Sequence, residues 1–366
     1  MHLLSIQRLL GMMLMLFSVT LLPPVAVSWL YDDGQFLIFL DGMLAVLVLG
    51  WLMWFPARRF REELRVRDGF LIVVLFWLVL GFAGAVPFTL SVTPEMSLTD
   101  AVFESFSGLT TTGATVITEL DNLPKSILFY RQQLQWLGGM GIIVLAVAVM
   151  PMLGVGGMQL YRAETPGPLK DNKLTPRITE TAKALWYIYL TLTVVCAASY
   201  WQAGMSGFDA IAHSFSTVAI GGFSTHDESI GYYQSTSIEM IAVVFMLLAG
   251  MNFALHFVAW RSLSLKAYFR DSEVKAYLVV LLLVTAITVT YLYYTDTFIF
   301  FDEALYAGLF QAVSIGTTTG FTTADYFHWP GFLPVMLLFV SFIGGCTGST
   351  GGGCLLYTSP SPRDRS

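Results

Sequence analysis

The chain has 366 residues, of which 55% are hydrophobic and only 12% are charged. A typical soluble domain carries about 25% charged residues, so this balance predicts an integral membrane protein. The net charge of −6 argues against a nucleic-acid partner, and the three cysteines and five scattered histidines form no disulfide or zinc pattern.

Long apolar stretches predict an all-α membrane protein, because a spanning helix needs about 20 mostly apolar residues. The predicted spans are Leu3–Leu30, Phe36–Phe55, Phe70–Leu90, Ile127–Met150, Leu185–Trp201, Met240–Trp260, Tyr277–Tyr294 and a segment from Phe332 onward. The first could instead be a signal peptide cleaved within Val25–Ser28, but Pro23 and Pro24 interrupt its apolar core and its charged n-region is weak.

Most of the 19 basic residues lie in three linkers between these spans. They are Arg58, Arg59, Arg61, Arg65 and Arg67 in the first linker, Arg162, Lys170, Lys173, Arg177 and Lys183 in the second, and Arg261, Lys266, Arg270 and Lys275 in the third. The positive-inside rule therefore predicts that these linkers and the N-terminus are cytoplasmic. The opposite side is rich in Asp and Glu, which would concentrate cations there.

Three segments between spans share one pattern of small residues around a glycine. They are Phe106–Thr115 (FSGLTTTGAT), Phe215–Thr225 (FSTVAIGGFST) and Val313–Thr323 (VSIGTTTGFTT). Each follows an amphipathic stretch of about ten residues, which is too short to cross a membrane. An aspartate precedes the central glycine by 13 residues in the first two segments (Asp100 and Asp209) but by 18 in the third (Asp302). We therefore predict an approximate repeat of span, re-entrant half-helix, glycine-containing loop and span.

The irregular backbone of such a loop limits the functions that it can have in a membrane. Irregular backbone at membrane depth is tolerated only where its polar groups are buried in protein or line an aqueous pathway. A ring of carbonyl oxygens can replace the hydration shell of a monovalent cation, and glycine permits backbone conformations that a side chain forbids. A half-helix aimed at the ring adds the partial negative charge of its C-terminus. The segments thus predict a cation pathway that needs no nucleophile, base or cofactor.

Other interpretations stay open. Glycine and threonine are also common where membrane helices pack closely. A secondary transporter of a small solute with broken helices would want polar side chains near the midplane. The one such cluster is Arg131, Gln132, Gln133 and Gln135. An intramembrane enzyme would want a nucleophile, but Ser349 lacks the GxSxG frame because Thr347 occupies its first glycine position.

Four long and specific strings carry a resemblance to a known family. They are Phe103–Gly113, Leu134–Gly141, Gly154–Glu164 and Ala219–His226. On these strings the chain closely resembles the TrkH family of the Trk/Ktr/HKT superfamily of potassium transporters, from its N-terminus to about Gly353. The resemblance implies two leading helices (residues 1–56) and span–pore-loop–span repeats around a central cation pathway. Three of the four expected repeats are present, at residues 68–150, 180–260 and 275–353.

The resemblance also implies which residues act. By position, the potassium-coordinating backbone would come from Thr111, Thr112 and Gly113, from Ile220, Gly221 and Gly222, and from Thr318, Thr319 and Gly320. A small-residue gating loop would break the inner span of the third repeat, here Gly344, Gly345, Cys346, Thr347, Gly348, Ser349, Thr350, Gly351, Gly352 and Gly353. Six of these ten residues are glycine, so the segment is a weak helix former that can move. A close-packed crossing is the alternative interpretation.

The implied function is potassium uptake across the bacterial inner membrane, driven by the membrane potential and without a cofactor. Coupling to a second ion stays open. The implied partners are potassium, membrane lipid, a second copy of the chain in a homodimer, and a cytosolic nucleotide-binding regulatory subunit. The chain itself has no GxxxxGK[ST] motif, so nucleotide binding is expected in the partner.

The chain departs from the family after Gly353, where residues 354–366 form a short Ser/Pro/Arg-containing tail. We expect this tail to be a cloning scar or a misassembled read that replaces the fourth repeat, and a genuine short C-terminus is the alternative. Three loops would leave one quadrant of a carbonyl ring open, with unpaired backbone at membrane depth. We therefore expect that the 366-residue chain by itself does not conduct potassium.

Overall fold

The computed structural model describes residues 3–60, 66–139, 141, 178–346 and 348–353. These residues are helical and include no strand, which confirms the predicted all-α fold class. The α-helices are α1 (Leu3–Val19), α2 (Leu22–Tyr31), α3 (Phe36–Ala57), α4 (Val66–Leu90), α5 (Leu98–Leu109), α6 (Lys125–Gly139), α7 (Ile178–Gln202), α8 (Gly207–Val218), α9 (Thr236–Ala249), α10 (Phe253–Ser262), α11 (Lys266–Arg270), α12 (Ser272–Tyr294), α13 (Phe301–Gly316) and α14 (Leu333–Ser341). Thr347, most of the second basic linker, the later part of the span Ile127–Met150 and the tail 354–366 lie outside the described residues.

Six of the predicted spans correspond to apolar helices that are long enough to cross a membrane. They are Leu3–Tyr31, Phe36–Ala57, Leu71–Leu90, Lys183–Gln202 and Ser272–Tyr294, with Thr236–Ala249 and Phe253–Ser262 as a bent pair. The chain is therefore a multi-pass membrane protein. The span predicted from Phe332 onward is helical only as α14, which ends at Ser341 shortly before the glycine-rich segment.

The predicted span Met240–Trp260 differs from a continuous helix. Its two halves, α9 and α10, meet at an angle of 96°. Asn252 starts α10 because its Oδ1 accepts a hydrogen bond from the Ala254 N–H at 2.8 Å. Gly250, at the break, lies against the Tyr277 hydroxyl of α12, and a side chain at this position would collide with it. A helix-start residue two positions after a glycine thus breaks the span.

The first compact unit contains α1 to α6. Glycines bring α1 and α3 close together, since a Cβ added to Gly11 would lie 2.7 Å from the carbonyl oxygen of Gly50. Around this crossing, apolar residues of α1, α3, α4, α5 and α6 form one core. The ring of Tyr130 on α6 packs against Phe39 and Phe88, with centroids 5.4 and 5.1 Å away.

Asp33 ties the loop between α2 and α3 to the start of α6. Its Oδ2 accepts a hydrogen bond from the Ser126 N–H at 2.8 Å, and its Oδ1 accepts from the Ser28 hydroxyl and from the Gln35 N–H at 3.2 Å. Burial raises the pKa of Asp33, but the hydrogen bonds outweigh burial and hold this pKa below its ordinary value.

The second compact unit contains α8 to α14 together with Thr111–Gly113. One apolar core of this unit joins α12, α13 and α14. Gly308 lets α13 approach α12, because a Cβ at this position would lie 2.7 Å from the Cγ2 of Val289. Three residues that follow α5 in sequence are thus grouped with the second unit, and these are the first three predicted ion-site residues.

Candidate functional site

Three short helices lead into three loops of the same shape. We call these loop 1 (Thr110–Thr115, after α5), loop 2 (Ala219–Ser224, after α8) and loop 3 (Thr317–Thr322, after α13). None of the three helices is long enough to span a membrane.

The 13-residue spacing between Asp and Gly has a structural cause at the start of the first two helices. Ser97 caps α5 by accepting a hydrogen bond from the Asp100 N–H at 3.1 Å, and Ser206 caps α8 through the Asp209 N–H at 3.1 Å. In turn, the Ser97 hydroxyl donates to the carboxylate of Asp100 and the Ser206 hydroxyl to that of Asp209, both at 2.7 Å. Helix α13 has no side-chain cap and begins at Phe301, which explains why the third segment lacks an Asp at the same offset.

Helices α8 and α13 end in the same pair of backbone hydrogen bonds. In α8, the Ile220 N–H donates to the carbonyl of Thr217 at 3.1 Å, and the Gly221 N–H donates to that of Ser216 at 2.8 Å. In α13 the corresponding pairs are Thr318 to Ile315 at 3.0 Å and Thr319 to Ser314 at 2.8 Å. This is the Schellman arrangement, which requires a left-handed residue directly after the helix C-cap.

That left-handed position is occupied by a β-branched residue in all three loops. The φ angles are 54° at Thr111, 54° at Ile220 and 69° at Thr318. Left-handed backbone costs a β-branched residue about 1–2 kcal/mol, and glycine usually takes this position. Two residues later the central glycine also has positive φ, 75° at Gly113, 77° at Gly222 and 86° at Gly320. Backbone strain clusters at functional sites, so its recurrence at one position of three loops indicates a functional role for this backbone conformation.

The loops contact one another through their central glycines. A Cβ on Gly113 would collide with the carbonyl oxygen of Gly221, and a Cβ on Gly222 would collide with that of Thr319. Gly320 differs, because no atom of the described residues lies within 4 Å of the position of its added Cβ. Loop 2 therefore lies between the glycine segments of loops 1 and 3, and the place of an added Cβ on Gly320 is open among the described residues.

A serine six positions before the central glycine connects the helix end to the far side of its loop. The Ser107 hydroxyl donates to the carbonyl of Ala114, and the Ser314 hydroxyl donates to that of Phe321 at 2.7 Å. In loop 2 the equivalent Ser216 is buried, and its hydroxyl has no hydrogen-bond partner among the described residues. Sequence analysis missed these serines, although their common offset from the glycine was visible in the three segments.

The glycine-rich segment occupies the break between α9 and α10. The Cys346 N–H donates to the carbonyl of Gly250 at 2.9 Å, and the Phe253 N–H at the start of α10 donates to the carbonyl of Gly348 at 3.0 Å. Broken helices leave backbone groups without intrahelical partners. Here Cys346 and Gly348 supply two of those partners.

Thr350 and Gly352 join this segment to α8, α9 and loop 3. The Thr350 hydroxyl lies 3.0 Å from the carbonyl of Val218, in the last turn of α8, and 3.2 Å from that of Ala249. The Gly352 N–H donates to the Thr318 hydroxyl at 3.0 Å. Of the predicted gating residues, Thr350 is thus hydrogen-bonded to the ends of α8 and α9, and Gly352 to loop 3. Thr347 lies outside the described residues.

The residues on which the alternative functions depend have structural roles. Arg131 donates from Nε to the carboxylate of Glu104 at 2.7 Å, and Gln133 donates to the carbonyl of Thr20 at 2.7 Å. All four residues of the Arg131–Gln135 cluster named above are buried. The Ser349 hydroxyl donates to the carbonyl of Cys346 at 2.7 Å within its own turn. Across the described ranges, no group of three His, Cys, Asp or Glu side chains could hold a metal ion.

Comparison with known proteins gives a consistent result. Residues 35–356 match the TrkH family, described as cation transport protein. The Trk system potassium uptake protein TrkH of Vibrio parahaemolyticus is 59% identical over 355 residues, which cover 95% of this chain and 72% of that protein. The TrkH protein of Escherichia coli strain K12 is 54% identical over 353 residues, which cover 96% of this chain and 73% of that protein.

The fold agrees with a solved structure of the same family. The crystal structure of the potassium transporter TrkH from Vibrio parahaemolyticus matches with a TM-score of 0.86 and 55% identity. The match covers 96% of this chain and 72% of that one. The chain therefore belongs to the TrkH family of cation transport proteins.

Proposed function

We propose that this protein mediates potassium uptake across the bacterial inner membrane. The observation that carries the proposal is the recurrence of one strained backbone in three loops, together with the packing of Gly113 and Gly222 against carbonyl oxygens of the next loop. A backbone held in this way presents carbonyl oxygens at fixed positions, which is what a dehydrated monovalent cation requires. The names of its relatives agree, since they are potassium uptake proteins.

The selectivity site would consist of main-chain carbonyls from loops 1, 2 and 3. The residues are Thr111, Thr112 and Gly113, then Ile220, Gly221 and Gly222, then Thr318, Thr319 and Gly320. Helices α5, α8 and α13 all end at these loops, so their C-terminal partial negative charges add to the attraction for a cation. Inward movement would be driven by the membrane potential, at about 2.3 kcal/mol per unit charge per 100 mV.

A fourth loop belongs beside Gly320 in this account. Gly113 and Gly222 each face a carbonyl of the next loop, whereas the described residues leave the corresponding place next to Gly320 open. The repeats at residues 68–150, 180–260 and 275–353 would then form three quarters of the ring. An added span–pore-loop–span unit would supply the remaining carbonyls.

The segment Gly344–Gly353 would act as the gate. It is bonded to the C-terminal ends of α8 and α9, and it is rich in glycine, so it can change conformation at small cost. The basic linkers would face the cytoplasm together with the N-terminus. We expect a homodimer that works with a cytosolic nucleotide-binding regulatory subunit, as the resemblance implies.

Rubidium uptake in a bacterial host that lacks its own potassium uptake systems tests the proposal. The assay would use an extended version, in which a fourth span–pore-loop–span unit follows Gly353. We expect uptake by this extended version that potassium competes for and sodium does not. Absence of uptake by the extended version, or equal competition by sodium, would contradict the proposal. Uptake of a small organic solute instead would favour the secondary-transporter alternative.

A further inference from the structure

Each of the three short helices carries a buried polar side chain nine positions before the central glycine of its loop. These side chains are Glu104 in α5, His213 in α8 and Gln311 in α13, and all three are fully buried. Burying a polar group is costly unless it makes hydrogen bonds. The partners of these residues therefore indicate what the position does.

In α5 the buried group is a carboxylate that holds the chain just after loop 1's glycine. Both oxygens of Glu104 lie 3.0 Å from the hydroxyl of Thr115, and one of them accepts a hydrogen bond from the Val116 N–H at 3.2 Å. The Nε of Arg131 donates to the same carboxylate at 2.7 Å. The Nη2 of Arg131 also donates to the Thr115 hydroxyl at 3.0 Å. Glu104, Arg131 and Thr115 thus form a closed network.

In α8 the equivalent contact is made without a charged pair. His213 bonds through Nε2 to the hydroxyl of Ser224 at 2.9 Å, and through Nδ1 to the carbonyl of Asp209 at 2.9 Å. Ser224 lies two positions after Gly222, as Thr115 lies two positions after Gly113. The same contact is therefore built twice with different chemistry.

The third helix departs from this arrangement. Neither amide atom of Gln311 has a hydrogen-bond partner among the described residues. Loop 3 is instead held by the Ser229 hydroxyl, which accepts a hydrogen bond from the Thr322 N–H at 3.2 Å. The contact from the buried helix residue to the loop is thus a property of loops 1 and 2.

We propose that Glu104 is a positioning residue for the ion site, and that Arg131 holds its carboxylate in place. The proposal rests on the function proposed above. Loop 1 is fixed on its far side by two contacts from α5, the Ser107 hydroxyl to the carbonyl of Ala114 and the Glu104 carboxylate to Thr115 and Val116. Thr111–Gly113 lie between these contacts and the end of α5, so their carbonyls have little freedom to move.

The ion pair makes this contact rigid for a physical reason. Hydrogen bonds to a charged group are shorter and stronger than those between neutral groups. Both charges are fully buried, so separation of the pair would leave an uncompensated charge inside the protein. Arg131 therefore holds the carboxylate of Glu104 in place, aimed at loop 1. Neither α9 nor α14, which follow loops 2 and 3, carries a basic residue.

The test compares three variants of the extended version. Glu104→Gln keeps the size of the side chain and removes its charge. Glu119→Gln is the control, because it removes one negative charge from an exposed residue between α5 and α6. The third variant combines Glu104→His, Thr115→Ser and Arg131→Met, which copies the neutral contact of loop 2 and leaves no unpaired charge. Rubidium uptake with sodium competition and amide hydrogen exchange of residues 110–118 are measured for each.

We expect Glu104→Gln to lower the preference for rubidium over sodium by about tenfold, which corresponds to the loss of one hydrogen bond to a charged group. Exchange should accelerate in residues 110–118 and stay unchanged in loop 2. The triple variant should recover most of the preference, and Glu119→Gln should keep all of it. If Glu104→Gln does not fold, the triple variant decides.

The proposal is overturned if a folded Glu104→Gln variant keeps the full preference. It is also overturned if Glu119→Gln lowers the preference equally, or if a folded triple variant has none. Failure of the proposed function looks different, because the unmodified extended version would then show no selective uptake. The exchange measurement would still report whether Glu104 fixes loop 1.

Discussion

The space that a side chain on Gly222 would occupy is filled by the main-chain carbonyl oxygen of Thr319. Gly113 stands in the same relation to Gly221, and both glycines also have positive φ. Each glycine is therefore needed twice, once for its backbone conformation and once for the close approach of a neighbouring loop. At Gly320 only the first requirement is visible in the described residues.

This difference predicts unequal effects of alanine at two equivalent positions in the 366-residue chain. Gly320→Ala adds only left-handed strain, which costs about 1–2 kcal/mol. Gly222→Ala adds the same strain and a collision with a backbone atom, at a further cost of about 1–3 kcal/mol. Thermal unfolding in detergent should show a larger drop in melting temperature for Gly222→Ala than for Gly320→Ala, by a factor of at least about 1.5. Equal drops would show that the contact with Thr319 is not a tight one.

The equivalent serines Ser314 and Ser216, six positions before the central glycine, should differ in their contribution to stability. Ser314→Ala removes the donor to the buried carbonyl of Phe321 and should destabilise the protein by about 1–3 kcal/mol, the cost of leaving a buried acceptor unpaired. Ser216→Ala removes a hydroxyl that has no partner among the described residues, so its effect on stability should be near zero. Urea or thermal unfolding of both variants measures this. A larger loss for Ser216→Ala would contradict the assigned contacts.

Thr350 provides a test of the gate. Thr350→Val keeps the shape of the side chain but removes the hydroxyl that bonds the carbonyls of Val218 and Ala249, at a cost of about 1 kcal/mol to the bonded conformation. If this conformation obstructs the pathway, rubidium uptake by the extended version should rise several-fold in the absence of a regulatory subunit. Ser341→Ala is the control, because the Ser341 hydroxyl donates to the Leu338 carbonyl within its own helix, α14. Unchanged or lower uptake by Thr350→Val would argue against an obstructing role.

Asp33 predicts a pH dependence of stability. Its pKa is lower in the folded protein than in the unfolded chain, so it contributes stability at a pH above the ordinary value of about 3.9 and loses it as the pH falls through the folded-state pKa. Because the group is only partly buried, the contribution should stay within about 1 kcal/mol. Asp33→Asn should therefore reduce the loss of stability between pH 6 and pH 3. Asp32→Asn changes the exposed neighbour and should not. The same acid sensitivity in Asp33→Asn and the unmodified protein would contradict this assignment.

The amino-acid sequence predicted the spans and the three loops well, because both depend on local composition. An apolar run of about 20 residues needs no partner to be recognised, and the small residues around Gly113, Gly222 and Gly320 form a visible pattern. The break after Gly250 was missed because it depends on the Tyr277 hydroxyl of α12 and on backbone partners from the glycine-rich segment.

The residues that fix the loops could not be predicted for a similar reason. Glu104 looked like one of many acidic residues on the outer side, and Arg131 looked like part of a polar cluster. Their ion pair joins positions 27 residues apart on two helices and becomes visible only when α5 packs against α6. The repeat offset of nine residues does not help either, because Glu, His and Gln occupy the three equivalent positions.

Anomalous X-ray scattering from crystals of the extended version grown in rubidium would show whether main-chain carbonyls of loops 1, 2 and 3 coordinate a monovalent cation. We expect a rubidium peak surrounded by the carbonyl oxygens of Thr111–Gly113, Ile220–Gly222 and Thr318–Gly320. A peak held by side chains elsewhere in the membrane region, with none at these carbonyls, would show that the loops do not form the ion site.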